Sequence, residues 1–548
     1  MATPTIIDDI LARLHAMQTG RSQWDNHWQD IRDHLLPLVK DFTGGARMPG
    51  EKRRSLIFDN SGESASDLLA GALHGFISAP GMRWFTVRPS DVRLRDRDDA
   101  GRWSEEVTRR MALVFDSPET QFNKTTKRSY KRIADYGQSC IYIRERPGRL
   151  PIYELWPLAE CFVEEGPDMQ IDTCFRVFEK TARWAVATWG DAAGPEAVKK
   201  AADPAKAGET FSFVWAIFPR TDRDFSRLDI GNAPWASIIV NRTEKTIVTE
   251  SGFREFPVVW PRWDQAEDET YARGCGTKAL ADVKMLQAMM KVTIRGAEKI
   301  VDPPLVIADD GILNKPRLGA AQINVARQEL FNTRTAPMFP LQTGGRPDIG
   351  EDLMEGVRRR IANAYYNNLL TLARDPKMTA TLTLKLDEES LRILGPFIGN
   401  IQDEQCSPAI KRTFAIMGRA GALPPPPPSL AGAKLEIEYV SPIARAARLA
   451  EVSAYAQWQD IIMTRAQVDP TAFDIVDGDG GDRMAADRLG VPFSAVRSPE
   501  QVAAIREQRA QAQQMKEMGE TAMKGAAALQ SVAQATQTMS NDNNQKAA

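Results

Sequence analysis

With 548 residues, 43% hydrophobic and 26% charged, the chain exceeds the ~100–200 residues usual for one domain and can bury several ordinary cores. Its 70 Lys plus Arg against 72 Asp plus Glu leave a net charge of −2, which argues against a bulk nucleic-acid clamp while leaving local basic faces open. The odd set Cys140, Cys161, Cys174, Cys275 and Cys406 has no C-x-x-C spacing and reads as reduced thiols; the segment Met1–Ile10 lacks signal-peptide character, and no run of about 18 apolar residues predicts a membrane span.

The first 75 residues read as helical. Ile6, Ile7, Ile10, Leu11 and Leu14 fall at helical spacing, and Trp24, Trp28, Ile31 and Leu35 form a second apolar stripe stopping near Pro37. Asn60 with Glu63 three residues later predicts a capping box ahead of a helix rich in small residues, which Pro80-Gly81 ends. Arg83–Arg88 reads as a strand.

Between Gln138 and Val259 the period shortens toward two. Cys140–Arg144, Ile152–Leu155, Cys161–Glu164, Ile171–Phe178 and Phe211–Phe218 predict a meander-like sheet, with Gly190–Gly208 as a surface insertion carrying little core. From Lys278 to Val301 there is no proline, and Leu280, Val283, Leu286, Met290, Ile294 and Val301 share one side, predicting a straight helix of ~36 Å. Its other side carries Lys284, Lys291, Arg295 and Lys299. Asp302-Pro303-Pro304 stops it, because proline removes a ladder donor and restricts the residue before it. A second helix is expected from Glu351 to Leu372, with Arg358, Arg359 and Arg360 clustered in its middle.

A Thr-rich loop follows at Ala373–Lys385. The helix expected from Asp387 to Arg419 should be interrupted at Gly395-Pro396 and Ser407-Pro408, and the prolines at 424–428 read as a semi-rigid spacer. Lys434–Val440 alternates as a half-buried strand, and the chain from Ala444 is helical up to a disordered tip at Ser540–Ala548.

Catalytic signals are weak. His15, His27, His34 and His74 lie on helices of different phase and read as structural. The Gly45–Lys52 stretch misses a phosphate loop because Glu51 stands where lysine should follow Gly50. Asp474, Asp477, Asp479 and Asp482 suggest calcium, but Arg488 occupies position twelve counted from Asp477, so a capped turn fits better. Lys124, Lys127, Arg128, Lys131 and Arg132 read as a solvated helix face or subunit contact, with phosphate binding as the second reading.

The strings Tyr271-Ala-Arg-Gly-Cys-Gly and Val301-Asp-Pro-Pro-Leu-Val-Ile-Ala-Asp-Asp-Gly resemble the head-to-tail connecting protein family, the portal proteins of short-tailed double-stranded DNA bacteriophages. The resemblance continues at Phe58-Asp-Asn-Ser-Gly, Pro80-Gly-Met-Arg-Trp-Phe, Met378-Thr-Ala-Thr, Leu394-Gly-Pro and Tyr439-Val-Ser-Pro. The family's Met-Thr-Ala-Thr string usually continues with Glu, whereas Leu382 follows Thr381 in this chain.

The resemblance implies an α+β, predominantly helical portal fold with wing, stem, clip and crown, assembling into a homo-oligomeric ring of about twelve subunits. In those terms 1–276 would be the N-terminal wing, 277–301 the first stem helix, 302–350 the clip and 351–372 the second stem helix. Residues 373–385 would be the tunnel loop, 386–440 the wing helix, spacer and strand, and 441–548 the crown or barrel helices. Implied partners are double-stranded DNA in the channel, terminase, tail or adaptor proteins, and capsid and scaffolding proteins. No membrane partner, cofactor, metal or enzymatic activity is expected. The ring would sit at a capsid vertex of the virion, after assembly in host cytoplasm. A nucleic-acid-binding tail adaptor of lower oligomeric order is the alternative.

A channel lined uniformly with Lys and Arg would hold DNA, which carries about one charge per 1.7 Å, instead of letting it slide. The candidate channel residues are Arg374, Lys377, Thr379, Thr381, Thr383 and Lys385, and the candidate stem charges Lys284, Lys291, Arg295, Arg358, Arg359 and Arg360. The threonines would offer weak, interchangeable phosphate contacts, with Arg374 and Lys377 as a local brake. Replacing Arg374 and Lys377 by alanine is expected to change DNA retention while rings still assemble; unchanged retention would contradict that role.

Overall fold

The computed structural model describes residues 6–44, 50–95, 97–224, 226–227, 229–309, 322–327, 338–340, 347–371, 392–440, 442–467, 469–489, 491 and 495–545. In chain order the helices are α1 (Ile6–Leu35), α2 (Ser61–Ile77), α3 (Val92–Arg95), α4 (Asp98–Asp116), α5 (Phe122–Tyr136), α6 (Ala182–Trp189), α7 (Pro195–Ala202) and α8 (Cys275–Val301). They continue with α9 (Pro347–Ala364), α10 (Asn367–Thr371), α11 (392–401), α12 (Ser407–Arg419), α13 (Pro442–Ala466), α14 (Gly478–Leu489) and α15 (Pro499–Gln545). The strands are β1 (Phe85–Pro89), β2 (Cys140–Arg144), β3 (Ile152–Trp156), β4 (Cys161–Glu165), β5 (Ile171–Thr181), β6 (Thr210–Pro219) and β7 (Trp235–Asn241). They end with β8 (Thr246–Phe253), β9 (Val258–Val259), β10 (Leu305–Asp309), β11 (Ile323–Arg327), β12 (Met338–Pro340) and β13 (Leu435–Tyr439). The chain divides into two units, 1–85 with 109–424, and 86–108 with 425–548.

In the first unit, β4-β5-β6-β7-β8 form an antiparallel meander; the expected runs supply only β4, β5 and β6 of it, while Cys140–Arg144 and Ile152–Leu155, expected in the same sheet, belong to another. The two apolar stripes near the start belong to one 30-residue helix, α1. Its Ile10, Leu14 and Met17 pack on Phe162, Phe175, Val214, Ala216, Ile238 and Val240 of the sheet. Each large apolar side chain so buried contributes about 1.5–3 kcal/mol. A second, three-stranded sheet has the order β3-β2-β9.

The 190–208 stretch differs from the expected coreless insertion. It folds into a 3-10 turn and α7, whose Ala193 and Ala197 pack with Ala182, Ala185, Phe178 and Phe213. Alanines make this small core, so its apolar content escapes a search for large side chains.

The predicted capping box is also absent. No side-chain bond caps α2 at Asn60; Asp59 Oδ1 instead accepts from Ser61 N at 2.7 Å, and Glu63 pairs with Arg54 at 2.9 Å. The neighbouring aspartate therefore takes the capping role through an Asx-type turn.

Helix α8 runs within two residues of the predicted span. The second helix does not run unbroken from 351 to 372: α9 starts at Pro347, and the chain turns at Tyr365-Tyr366, where Tyr366 has φ +58°, before α10. Position 372 lies outside the described residues. Between α8 and α9 the chain forms a three-stranded sheet in which β10 pairs parallel to β11 and antiparallel to β12.

Downstream, Gly395-Pro396 leaves the helix intact: residues 392–401 are helical throughout. A π-turn at Gln402–Cys406 joins α11 to α12, and Ser407 N donates to Gln402 O just before Pro408. The wider turn accommodates the missing proline donor without splitting the helix. Arg262 clamps this turn through Glu404 at 2.5 Å and also contacts Glu165.

The second unit holds the β1-β13 pair, where Arg88 meets Glu438 at 3.1 Å and Arg95 meets Glu436 at 2.9 Å. Asp477 Oδ1 accepts from Gly480 N at 2.9 Å at the start of α14, and Asp479 pairs with Arg506 at 2.6 Å. The aspartate cluster is thus a capped turn and an ion pair. Helix α15 continues to Gln545, so 540–545 is helical where a disordered tip was expected; no Pro or Gly interrupts it after Gly525.

A close backbone approach joins the end of α5 to the start of α8. Gly137 caps α5 with φ +87°, and a Cβ at Gly276 would lie 2.5 Å from Asp135 O. A Cβ at Gly274 would lie 2.6 Å from Ala134 O. Since these obstacles are backbone, Gly276→Ala is expected to destabilise the fold by about 1–3 kcal/mol in denaturant unfolding. Gly71→Ala, in α2 with open space at its Cβ, should stabilise by roughly 0.5–1 kcal/mol. Equal effects at the two sites would contradict the close-approach argument.

Candidate functional site

Helices α8 and α9 run antiparallel: Arg360 of α9 pairs with Asp282 of α8 at 3.0 Å, while a Cβ at Gly350 would lie 3.3 Å from Thr293 Oγ1. Their base is anchored on the 58–59 segment. Gln287 of α8 accepts from Phe58 N at 2.6 Å and Asp59 N at 2.9 Å, and its amide donates to Asp59 O at 2.8 Å. Arg358 of α9 donates through Nε and Nη2 to Asp59 Oδ2 at 3.0 and 2.8 Å. Burial alone would raise the Asp59 carboxyl, but bonds from Ser61 and Arg358 together hold it below its ordinary value. One aspartate thereby ties both helices to the start of α2.

A second anchor lies at the far end of α9. Asp135 of α5 is fully buried; its Oδ2 accepts from Ser66 Oγ of α2 at 2.7 Å, and its Oδ1 from Tyr365 OH at 2.6 Å. Both donors are neutral hydroxyls. Lys131, the nearest cation on α5, is held by Asp67 at 2.6 Å. Desolvation therefore dominates and raises the Asp135 carboxyl to about 7, against the lowering effect of its two hydroxyl donors and of Lys131; Asp67 adds to the rise. Burial also pushes the Tyr365 hydroxyl upward, and pushes the Cys275 thiol at the start of α8 to about 12.

The candidate stem charges divide by face. Lys284 pairs with Asp30 of α1 at 2.7 Å, Lys291 lies over the Phe58 ring at 5.9 Å, and Arg358 and Arg360 hold Asp59 and Asp282. Arg359 is exposed and loosely paired with Glu355 at 3.7 Å. Arg295 is exposed and has no ion partner among the described residues. Arg374, Lys377, Thr379, Thr381, Thr383 and Lys385 lie outside the described residues.

Other candidates fall elsewhere. Arg132 is buried and donates to Trp156 O at 2.7 Å, whereas Lys124, Lys127 and Arg128 are exposed on α5. His27 bonds Thr277 Oγ1 at 3.1 Å, and the His74 ring sits 6.0 Å from that of Tyr130. Among the described residues no group of three His, Cys, Asp or Glu side chains is placed to hold a metal, and no helix is long and apolar enough to cross a membrane.

Residues 8–496 match the family described as bacteriophage head to tail connecting protein. The chain belongs to that family. Among curated relatives, the portal protein of Salmonella phage epsilon15 is 28% identical over 531 residues, covering 95% of this chain and 94% of that protein. A probable portal protein of Bordetella phage BPP-1 is 29% identical over 522 residues, covering 94% and 93%. Two solved structures of gene transfer agent particles align more loosely. The neck of an empty particle gives a TM-score of 0.31 at 10% identity, covering 72% of this chain and 86% of that one. The native virion gives 0.30 at 11%, covering 81% and 96%.

Within this member of the head to tail connecting family, two motifs now have physical reasons. The Tyr271-Ala-Arg-Gly-Cys-Gly string supplies the glycines that let α8 start against α5, and Phe58-Asp-Asn-Ser-Gly supplies the aspartate that ties α8 and α9. Asp135, Ser66 and Tyr365 were not singled out in the sequence. A lone Asp in a basic helix gives no signal until the fold brings hydroxyls from 69 residues upstream and 230 residues downstream onto it.

Native Asp135 keeps its proton up to about pH 7, whereas an unfolded aspartate loses it near ~3.9. Its stabilising proton uptake is therefore complete below the unfolded value and is lost as pH rises through the folded one. Asp135→Asn stays neutral throughout. The stability of the natural chain relative to this variant should thus fall between pH 4 and 7 and level off above, measured by denaturant titration. A difference independent of pH would contradict the buried, protonated carboxyl.

Proposed function

We propose that this chain is the portal subunit of a phage particle. Copies form a ring at one capsid vertex, and double-stranded DNA enters and leaves through its axial channel. The ring docks terminase during packaging and tail or adaptor proteins afterwards, and its role is structural rather than enzymatic. The observation that carries this reading is the family match over residues 8–496. The two relatives named as portal proteins support it, since the aligned region covers at least 93% of each.

Physical features agree with a conduit. Net charge is −2, and four of the six stem cations are engaged within the subunit by Asp30, Phe58, Asp59 and Asp282. Engaged cations grip passing phosphates less strongly than a free basic lining would. In this reading α8 and α9 supply the stem, the stretch between them the clip, and 373–385 the tunnel loop that meets DNA. Energy for packaging would come from the terminase partner.

Native mass measurement and negative-stain imaging of the purified chain test the reading. A large ring with a central hole, of about twelve copies, is expected. A monomer or small oligomer would contradict it and favour a tail adaptor.

A further inference from the structure

The α8–α9 pair has two unlike outer edges. On α8, the side turned away from both α9 and the 58–59 segment carries Met285, Ala288, Val292 and Gly296, all exposed; Met285 is 40% and Val292 69% exposed. Their spacing places them on one helical face. An apolar face of this kind on a helix otherwise well packed at its base marks a covered surface rather than one left to water. Arg295 and Lys299 extend along the same edge. On α9, the side turned away from α8 carries Glu351, Asp352, Glu355 and Arg359, all exposed, with Arg359 loosely paired to Glu355 so that the edge stays net acidic. Arg295, Glu351 and Asp352 have no ion partner among the described residues.

Height along the pair links the two edges. Gly350 lies beside Thr293 and the helices run antiparallel, so Glu351 and Asp352 stand level with Val292 and Lys291 on the opposite edge of the same subunit, about one turn below Arg295, whose side chain leans back toward that level. Rotation about an axis along the helices preserves height. A neighbour related by such a rotation therefore brings its α9 edge to the α8 edge at matching levels. The contact is head-to-tail, with different surfaces on each copy, which is the geometry that closes into a ring.

We propose that the α8 face Met285–Ala288–Val292–Gly296 is covered by the outer edge of α9 from a second copy of this chain, with Arg295 facing that copy's Glu351 and Asp352. The assignment rests on the ring reading above and adds which faces meet. Surface pairs of this kind contribute at most about 1 kcal/mol each, so the apolar face supplies adhesion and the charges fix register and direction. The α8 edge is then withdrawn from the channel.

Cysteine cross-linking tests the face directly, because Cys140, Cys161, Cys174, Cys275 and Cys406 are all buried. A short thiol-specific cross-linker on the V292C/D352C chain should give a ladder of covalent oligomers under denaturing conditions. V292C or D352C alone should give none, since the contact is head-to-tail. Rings of normal mass that yield no ladder would overturn the face assignment while leaving the ring reading intact. Dimers from V292C alone would overturn it in favour of a two-fold contact. Absence of rings in the natural chain would overturn both. A second measurement covers a double variant that fails to assemble. R295E should lower the ring fraction by native mass, and adding E351R and D352R should raise it again; no recovery would overturn the pairing.

Discussion

The arrangement depends on how closely the end of α5 can approach the start of α8. Three glycines, Gly137, Gly274 and Gly276, remove the Cβ atoms that would collide there with backbone. That contact fixes where a 27-residue helix leaves the body of the subunit. Everything further along α8 inherits its direction from this base. Because the obstacles are main-chain atoms, no side-chain rearrangement can substitute for the missing Cβ groups.

Around this base the polar groups are arranged to brace rather than to react. Asp59 holds Gln287 through its main chain and Arg358 through its carboxyl, and the Asp135 carboxyl links Ser66 and Tyr365, so α2, α5, α8 and α9 are joined at two aspartates. The two differ in environment. Asp59 has a guanidinium partner and stays acidic, while Asp135 has only hydroxyls and is raised by desolvation. The outer parts of the helix pair are different in character, with an apolar and basic edge on α8 and an acidic edge on α9. A braced base with self-complementary edges suits a part repeated around an axis.

Much of this was legible in the sequence. Proline spacing marked α8, period-two runs marked β2 to β6, and alternation marked β13. Local chemistry misled where a neighbour competed, as Asp59 did with Asn60 for the start of α2. The break at Tyr366 had no Pro or Gly to announce it; the buried Tyr365–Asp135 bond stands at that turn, across 230 residues of sequence. The cations of α8 and α9 were identifiable by type, but not their occupation, since Asp30 and Asp59 lie far from Lys284 and Arg358 in the chain. The meander strands β7 and β8 were also missed: the turn between them has no Gly or Pro and rests on Asn241, whose side chain accepts from Thr243 N and Glu244 N.

Amide hydrogen exchange across α8, measured in dilute solution, tests the braced-base account most directly. Slow exchange is predicted for 275–287, where buried residues and the glycine contact hold the helix, with faster exchange over 292–301, where side chains are mostly exposed. Fast exchange through 275–287, or protection extending evenly to Val301, would contradict it.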